Sequence, residues 1–589
     1  MSGSSRRCLQ ALMPILMVAR FGSQSALSIL GLAALCWVAC FLIVGVGDAE
    51  SVAEQNSSAQ PLAVLIEGSG TYGRPGIAET SAAQSFFDQG LRLVWGYYAV
   101  EAAASFQEAL RLEPDNAMLY WGLALAISPN PNSRYRGVSD DPKGEGRKAI
   151  QRALVLSTGS DSKQRDLIES LAVRFDTTQY PERDARDEAY IEAARALAGK
   201  YPEDPDVVAL YADSVMTRTP WLYWDAQGAA IPPLDDVINR LDAVLVQETD
   251  HPGANHLYIH ILESSPNPGR ALPHANRLEG LMPKAGHMVH MPSHIYVRLG
   301  QYDAAIASNQ RSLAADRSFV KAWGDSPLPN FTTYKLSPRV HPRHANDFIR
   351  FAATAQGNYE RAIGSARAVA GSVSEERLRR NARAQLAVAN IWMVEKIFGK
   401  WDALLAEERR GAGVTYLDGM WHYTQGSARI AQGDLIGADQ ALAELRKAAA
   451  RAAQEKARGF ANSPATLLEI ATFGLAGELA EAQGDDPRAI EAYQQAVELQ
   501  DGLRFIEPPD WPQPMRLYLG AALLRSGDPQ AAELVYREDL AWNQKSGWAL
   551  YGLAGSLRAQ GQVAAAVKAE SDFRKSWQSA DVSLSASRF

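Results

Sequence analysis

The sequence predicts an all-α protein, an α-solenoid of stacked helix pairs preceded by an N-terminal apolar segment. Two observations carry that fold class. Turn signals recur along the chain, each leading into a second helix: GQYDAAI at 300–306, GNYERAI at 357–363, GDLIGADQAL at 433–442, and the runs from Gly484 and Gly527. Glycines (Gly426, Gly477 and Gly520) recur ahead of three of these turns. Helix pairs bury their apolar faces only by stacking on their neighbours, so repeats covering most of 82–577 imply one continuous array. A third observation concerns function: nine of the ten histidines lie between His251 and His344.

At the N-terminus, Ala26–Val46 is an uncharged apolar run of 21 residues, preceded by Arg6, Arg7 and Arg20 and followed by Asp48 and Glu50. That length spans a bilayer, and the arginines favour an internal N-terminus with the large domain outside. Gly47-Asp48-Ala49 offers an alternative, cleavage of a signal peptide. Both readings place the chain outside the cytoplasm, periplasmic or secreted, with the membrane touched only through this segment. The expected organisation is a basic region at 1–25, the anchor or signal at 26–46, and a flexible linker at 47–80 rich in Ser, Gly and Gln. N-terminal repeats follow over 81–250, His-rich central repeats over 251–363, and C-terminal repeats over 364–589. Two long connections interrupt the array, at 219–236 and 317–342; loops of this length act as lids or pack as insertions. The formal charge of −8, without a long basic run, argues against nucleic acid as the main partner. All three cysteines (Cys8, Cys36 and Cys40) precede the repeats, so any metal there is held by nitrogen and oxygen.

His256 and His260 are four residues apart, as are His290 and His294, and His287 precedes His290 by three. On a helix these spacings put imidazoles on one face, at a separation that suits a shared metal ion. Near the start of the array, FFDQGLRLVWGYYAVEAAASFQEALRLEPDN carries Gly90, Ala102, Phe106, Ala109 and Pro114. In this offset pattern small residues let two helices meet, Phe106 fills the gap and Pro114 ends the second helix. The pattern resembles the tetratricopeptide repeat (TPR), which implies a right-handed solenoid with a concave groove. In that family the groove is lined by the second, fifth, ninth and twelfth positions of each first helix. Counting back from Gly300, the resemblance places His287, His290 and His294 at the second, fifth and ninth positions. The preceding repeat then has His256 fifth, His260 ninth and Glu263 twelfth; the following one has His344 second and Asp347 fifth. Asp213 falls ninth in the repeat before these.

Adjacent helices pack about 8–10 Å apart, so the clusters can meet. The expected direct ligands are His256, His260, His290 and His294, with His287, Glu263, His344 and Asp347 as further or outer ligands. Imidazole and carboxylate donors suit a divalent transition metal, Zn, Fe, Cu, Ni or Mn. One tetrahedral site needs fewer donors than these, so either two ions are bound or some residues stand behind the ligands. In a catalytic centre Glu263 is the candidate general base toward metal-bound water. The alternative is a metal-free groove that recognises a peptide, protein or small molecule. Pro292, inside the His290–His294 spacing, is positioned to shift the register. His251, ahead of Pro252, is expected to cap its helix; His274 falls outside the site, and His422 at a repeat interface.

The run HPGANHLYIHILESSPNPGRALPHANRLEGLMPKAGHMVHMPSHIYVRLGQY resembles a group of bacterial TPR proteins that share this His-rich core, an FDQGLRL start and a YREDL…GWALYGL end. The resemblance implies the repeat fold and export, and no particular reaction. The group carries His where this chain has Asp347.

Overall fold

Glycine and aromatic side chains set the helix spacing. A Cβ at Gly90 would lie 2.7 Å from the Phe106 ring, and one at Gly122 would be closer still. Phe106, fully buried, therefore wedges between helices Ser81–Trp95, Ala99–Leu112 and Ala117–Ile127. The same device recurs near the C-terminus. A Cβ at Gly520 would stand 2.5 Å from the Tyr536 ring, which also fills the space left by Gly552. These contacts stack the helices into a TPR-like α-solenoid, with no strand among the described residues and one isolated bridge, Trp224 to Ala230.

The computed structural model describes residues 61–331, 337–371, 373–456 and 459–589. The basic region, the apolar run 26–46 and the three cysteines lie outside the described residues. Among those described, no helix is long and apolar enough to cross a membrane.

Three successive pairs carry the histidines. Helix Pro252–Leu262 pairs with Leu272–Leu281. The kinked helix Gly286–His290 and Pro292–Arg298 pairs with Tyr302–Trp323. Helix Pro342–Ala355 pairs with Tyr359–Ala370. The first two starts match the repeat register counted from the sequence, and the third lies one residue earlier, at Pro342 rather than Arg343. Pro292 removes one backbone donor but not the helical path, because Met291 keeps helical dihedrals (φ −52°, ψ −36°) and its N–H still bonds to the His287 carbonyl at 3.0 Å. His290 and His294 thus stay on one face.

The apolar core falls into two clusters, and the histidine helices lie where they meet. Met288, Met291 and Ile295 belong to the first, which reaches back to Ala63. Tyr296 and Val297 belong to the second, which runs on to Ala569. C-terminal repeats fold back onto this junction: Trp548 Nε1 donates to the Thr354 carbonyl at 2.9 Å, and Arg298 stacks over Trp542 at 3.6 Å.

Two expected segments differ. Within the linker expected over 47–80, residues from Pro61 on are packed rather than free. Ala63 and Ile66 are buried, the Leu62 N–H bonds to Glu108, and Tyr72 and Arg74 bond to Asp206. The irregular segment expected from 317 begins later, because Arg317–Trp323 continues the preceding helix and seats Phe319 and Trp323 in the core.

Candidate metal centre

Each histidine helix brings its imidazoles to one buried point, with His256, His260, His287, His290 and His294 all between 0 and 4 % exposed. Two groups of three have donor atoms within 4.8 Å of one another: His256, His260 and His287, and His290, His294 and His344. A third group, His260, Glu263 and His294, meets the same criterion and links the first two.

The outer nitrogens of these rings are engaged by the protein. His256 Nδ1 lies 2.6 Å from the Trp95 carbonyl oxygen, which only accepts, so Nδ1 carries the proton and Nε2 a lone pair. His290 Nδ1 lies 2.6 Å from Asn309 Oδ1, and the Asn309 amide donates to the Ala305 carbonyl, which fixes Oδ1 as the acceptor. His294 Nδ1 meets the carboxylates of Glu263 and Glu507. His260 Nδ1 is 3.1 Å from Glu263 Oε1, and His341 Nδ1 is 3.0 Å from Asp316 Oδ2. Five rings therefore turn Nε2 inward. Nε2 of His260 and of His341 is buried with no hydrogen-bond partner, as is Nδ1 of His287. His290 Nε2 faces His294 Nε2 at 2.8 Å, and His256 Nε2 faces His287 Nε2 at 3.1 Å. Metal-ligating histidines are held in this way, with the second nitrogen on a carbonyl or carboxylate.

Burial keeps most of these rings neutral. It holds His256, His287, His290 and His344 well below the usual imidazole range, and it takes His260 down to about 3, with help from the charge on His294. His294 goes the other way: burial opposes its charge, but Glu263 and Glu507 together raise its pKa. Burial, reinforced by Glu263, lifts Glu507. The protonated His294 thus sits between two carboxylates on one side and the His290 lone pair on the other.

Glu263 is committed on both oxygens. Oε1 accepts from Trp221 Nε1 at 2.9 Å as well as facing His260, Oε2 faces His294, and its carbonyl accepts from Arg298. Both oxygens of this candidate base or further ligand therefore face groups of the cluster. Asp347 stands on the cavity wall with Oδ1 accepting from Arg350 Nε at 2.6 Å, apart from the three donor groups. Asp213 pairs with Arg174 at 3.2 Å. His251 caps its helix by accepting from the Ala254 N–H, and His274 bonds to Asn255 away from the cluster.

Several residues of the centre escape the repeat register. His341 precedes the helix it caps, and its HPRH spacing with His344 was the available signal. Glu507 arrives from a loop more than 200 residues beyond His294, with no local pattern to mark it. Tyr97 and Trp221 both hold left-handed backbone, at φ 63° and 61°, which costs a bulky residue roughly 1–3 kcal/mol. Their rings wall the cluster: Tyr97 lies 4.6 Å from His256 and Trp221 lies 5.8 Å from His260.

The inner nitrogens open onto a cavity of about 850 Å³, bordered by His260, His287, His294, His341, His344 and Glu507.

No protein-family model and no curated protein matches the chain. Among solved structures, human IFIT1 dimers bound to capped or triphosphate RNA are similar to it. They share 12–13 % identity over 84–85 % of this chain and 90–91 % of theirs, with TM-scores of 0.30–0.31. The Cut9 chain of the APC/C Cut9–Hcn1 complex matches at 13 % identity and TM-score 0.25, covering 84 % of this chain and 94 % of its own. Yeast Tom70 matches at 10 % and 0.28, covering 82 % and 90 %. Likeness at these scores carries no argument, and the solenoid rests on this chain's own helix pairing.

Proposed function

We propose that this chain is an exported solenoid metalloprotein that holds two divalent transition-metal ions at the foot of a substrate cavity. His256, His260 and His287 would hold one, and His290, His294 and His344 the other; His260, Glu263 and His294 form the link between them. A solenoid of this kind is suited to taking a ligand along its concave side, and here the cavity runs down to the histidines. The observation that carries the reading is the arrangement of inner nitrogens. Inner nitrogens converge in a buried space, five rings are fixed from behind, and several inner atoms have no protein partner. Neutral imidazole is the form that ligates, so a metal on His294 would displace the proton from its inner nitrogen.

A transition metal supplies Lewis acidity and a bound water of lowered pKa. The chain's own residues set the ring orientations, through the Trp95 carbonyl, Asn309, Asp316, Glu263 and Glu507, and Tyr97 and Trp221 exclude water from the flanks. Nitrogen and oxygen donors without thiolate admit Zn, Fe, Cu, Ni or Mn. The metal-free alternative, a peptide lying on the histidines, is poorly served by rings 0–4 % exposed. Export is part of the proposal and rests on the apolar run 26–46 with its preceding arginines.

Elemental analysis of the chain, purified without a His tag and without chelator, tests the reading. About two equivalents of transition metal are expected, with loss in His256→Ala/His290→Ala. Absence of metal from the wild type after reconstitution would overturn it.

A further inference from the structure

The cavity above the histidines carries positive charge in an acidic protein. Arg136, Arg339, Arg343, Arg377 and Arg383 line it, against the carboxylates of Asp347, Glu507 and Asp510. Asp347 accepts from Arg350, Glu507 pairs with His294, and Asp510 accepts from Asn462 at 3.0 Å and is acted on by Arg383. The arginines come from separate parts of the chain. Arg136 follows the short helix Pro131–Tyr135, and Arg339 precedes the third histidine helix. Arg377 lies within the single helical turn Glu375–Leu378.

Arg343 and Arg383 lie in the first turns of helices Pro342–Ala355 and Ala382–Ile397, of 14 and 16 residues. A helix N-terminus favours an anion, so a cation there is placed against the dipole. Like charges also crowd one another: Arg377 acts on Arg343. Two buried inner atoms without partners, His260 Nε2 and His341 Nε2, border the same space.

We propose that this cavity binds a small organic oxyanion, a phosphoryl or carboxylate compound, with its anionic group on the arginine wall and its body directed at the histidine floor. Guanidinium is the group whose planar fork matches both oxyanions. The volume of about 850 Å³ exceeds what a bare inorganic anion needs and lies in the range of small-molecule sites. This inference rests on the metal reading for the role of the floor, but the arginine wall is tested separately from it.

The test is calorimetric titration of the full metal-loaded chain with phenyl phosphate, with succinate, and with the neutral analogues phenol and succinamide. Elemental analysis is run on the same samples. At least one of the two anions is expected to bind while the neutral analogues do not; which one binds distinguishes a phosphoryl from a carboxylate ligand. Arg343→Gln/Arg377→Gln, whose sites are not buried, is expected to weaken that binding about tenfold or more with metal content unchanged. Arginine-dependent binding in a protein without metal would uphold this inference and count against the metal reading alone. The inference fails if neither anion binds, if the neutral analogues bind equally, or if the double variant binds as the wild type does.

Discussion

Two buried polar clusters in this solenoid are built on opposite principles. In the C-terminal repeats, Lys396 Nζ donates to Glu478 at 2.7 Å and to the Tyr518 hydroxyl at 2.9 Å, and lies over the Tyr423 ring at 4.8 Å. Donor meets acceptor, and a cation meets an anion. In the central repeats nitrogen meets nitrogen, with protonated His294 facing the His290 lone pair and several buried atoms left unmatched. Two pairs of imidazole nitrogens face each other at 2.8 and 3.1 Å, and further inner atoms face nothing. A cluster that only stabilises a fold matches its groups, because an unmatched buried polar atom costs about 1–3 kcal/mol. The histidine cluster is matched on its outer side and left open within, which is the pattern of a site built around a cation.

The largest expected effect lies in the matched cluster. Lys396→Met leaves Glu478 buried without its cation and is expected to cost about 3–5 kcal/mol of stability, read by denaturant unfolding. Metal content should not change; if it does, the two clusters are not independent. Next is the outer side of the open cluster. Asn309→Leu removes the acceptor behind His290 and is expected to weaken metal affinity about 10–100-fold, measured by competition with a chelator. An unchanged affinity would mean that the Asn309 contact is packing alone. Gly552→Ala pushes a methyl group into Tyr536 and should cost about 1–3 kcal/mol in melting experiments, again with metal content preserved.

The smallest effect is expected at acid pH, at a third polar group. Burial works to raise the pKa of Asp206, but the His251 hydrogen bond and the charge of Arg74 hold it below the usual carboxylate range. A lowered folded-state pKa gives stability that is present above the unfolded value, about 3.9, and is lost as pH falls through the folded one. Asp206→Asn should therefore flatten the fall in stability below about pH 4, followed by unfolding at stepped pH. An identical slope in wild type and variant would remove Asp206 from the account.

What the sequence made legible follows from the range of each signal. Helix pairs, turn glycines and the Phe106 wedge are local, with partners within about one repeat, and they stand where the pattern put them. The register counted from Gly300 brought His256, His260, His287, His290, His294 and His344 together, because one repeat fixes the rotation of the next. Other parts of the site depend on closure of the whole array. Glu507 reaches His294 only because the C-terminal repeats fold back, and the arginine wall is drawn from four stretches of chain with no shared period. His341 sits one residue before its helix, outside the positions that periodicity samples. Spacing placed Glu263 in the groove, but not the contacts of its oxygens with Trp221, His260 and His294, which no linear pattern contains.

The central claim is that the open nitrogens surround metal. Anomalous diffraction from crystals of the chain, collected at the absorption edge of whichever metal elemental analysis finds, addresses it most directly. The account predicts two peaks among the histidines, one near His256, His260 and His287 and the other near His290, His294 and His344, with metal–nitrogen distances of about 2.0–2.1 Å for zinc. Peaks only elsewhere on the chain, with protons or water joining the inner nitrogens, would contradict it.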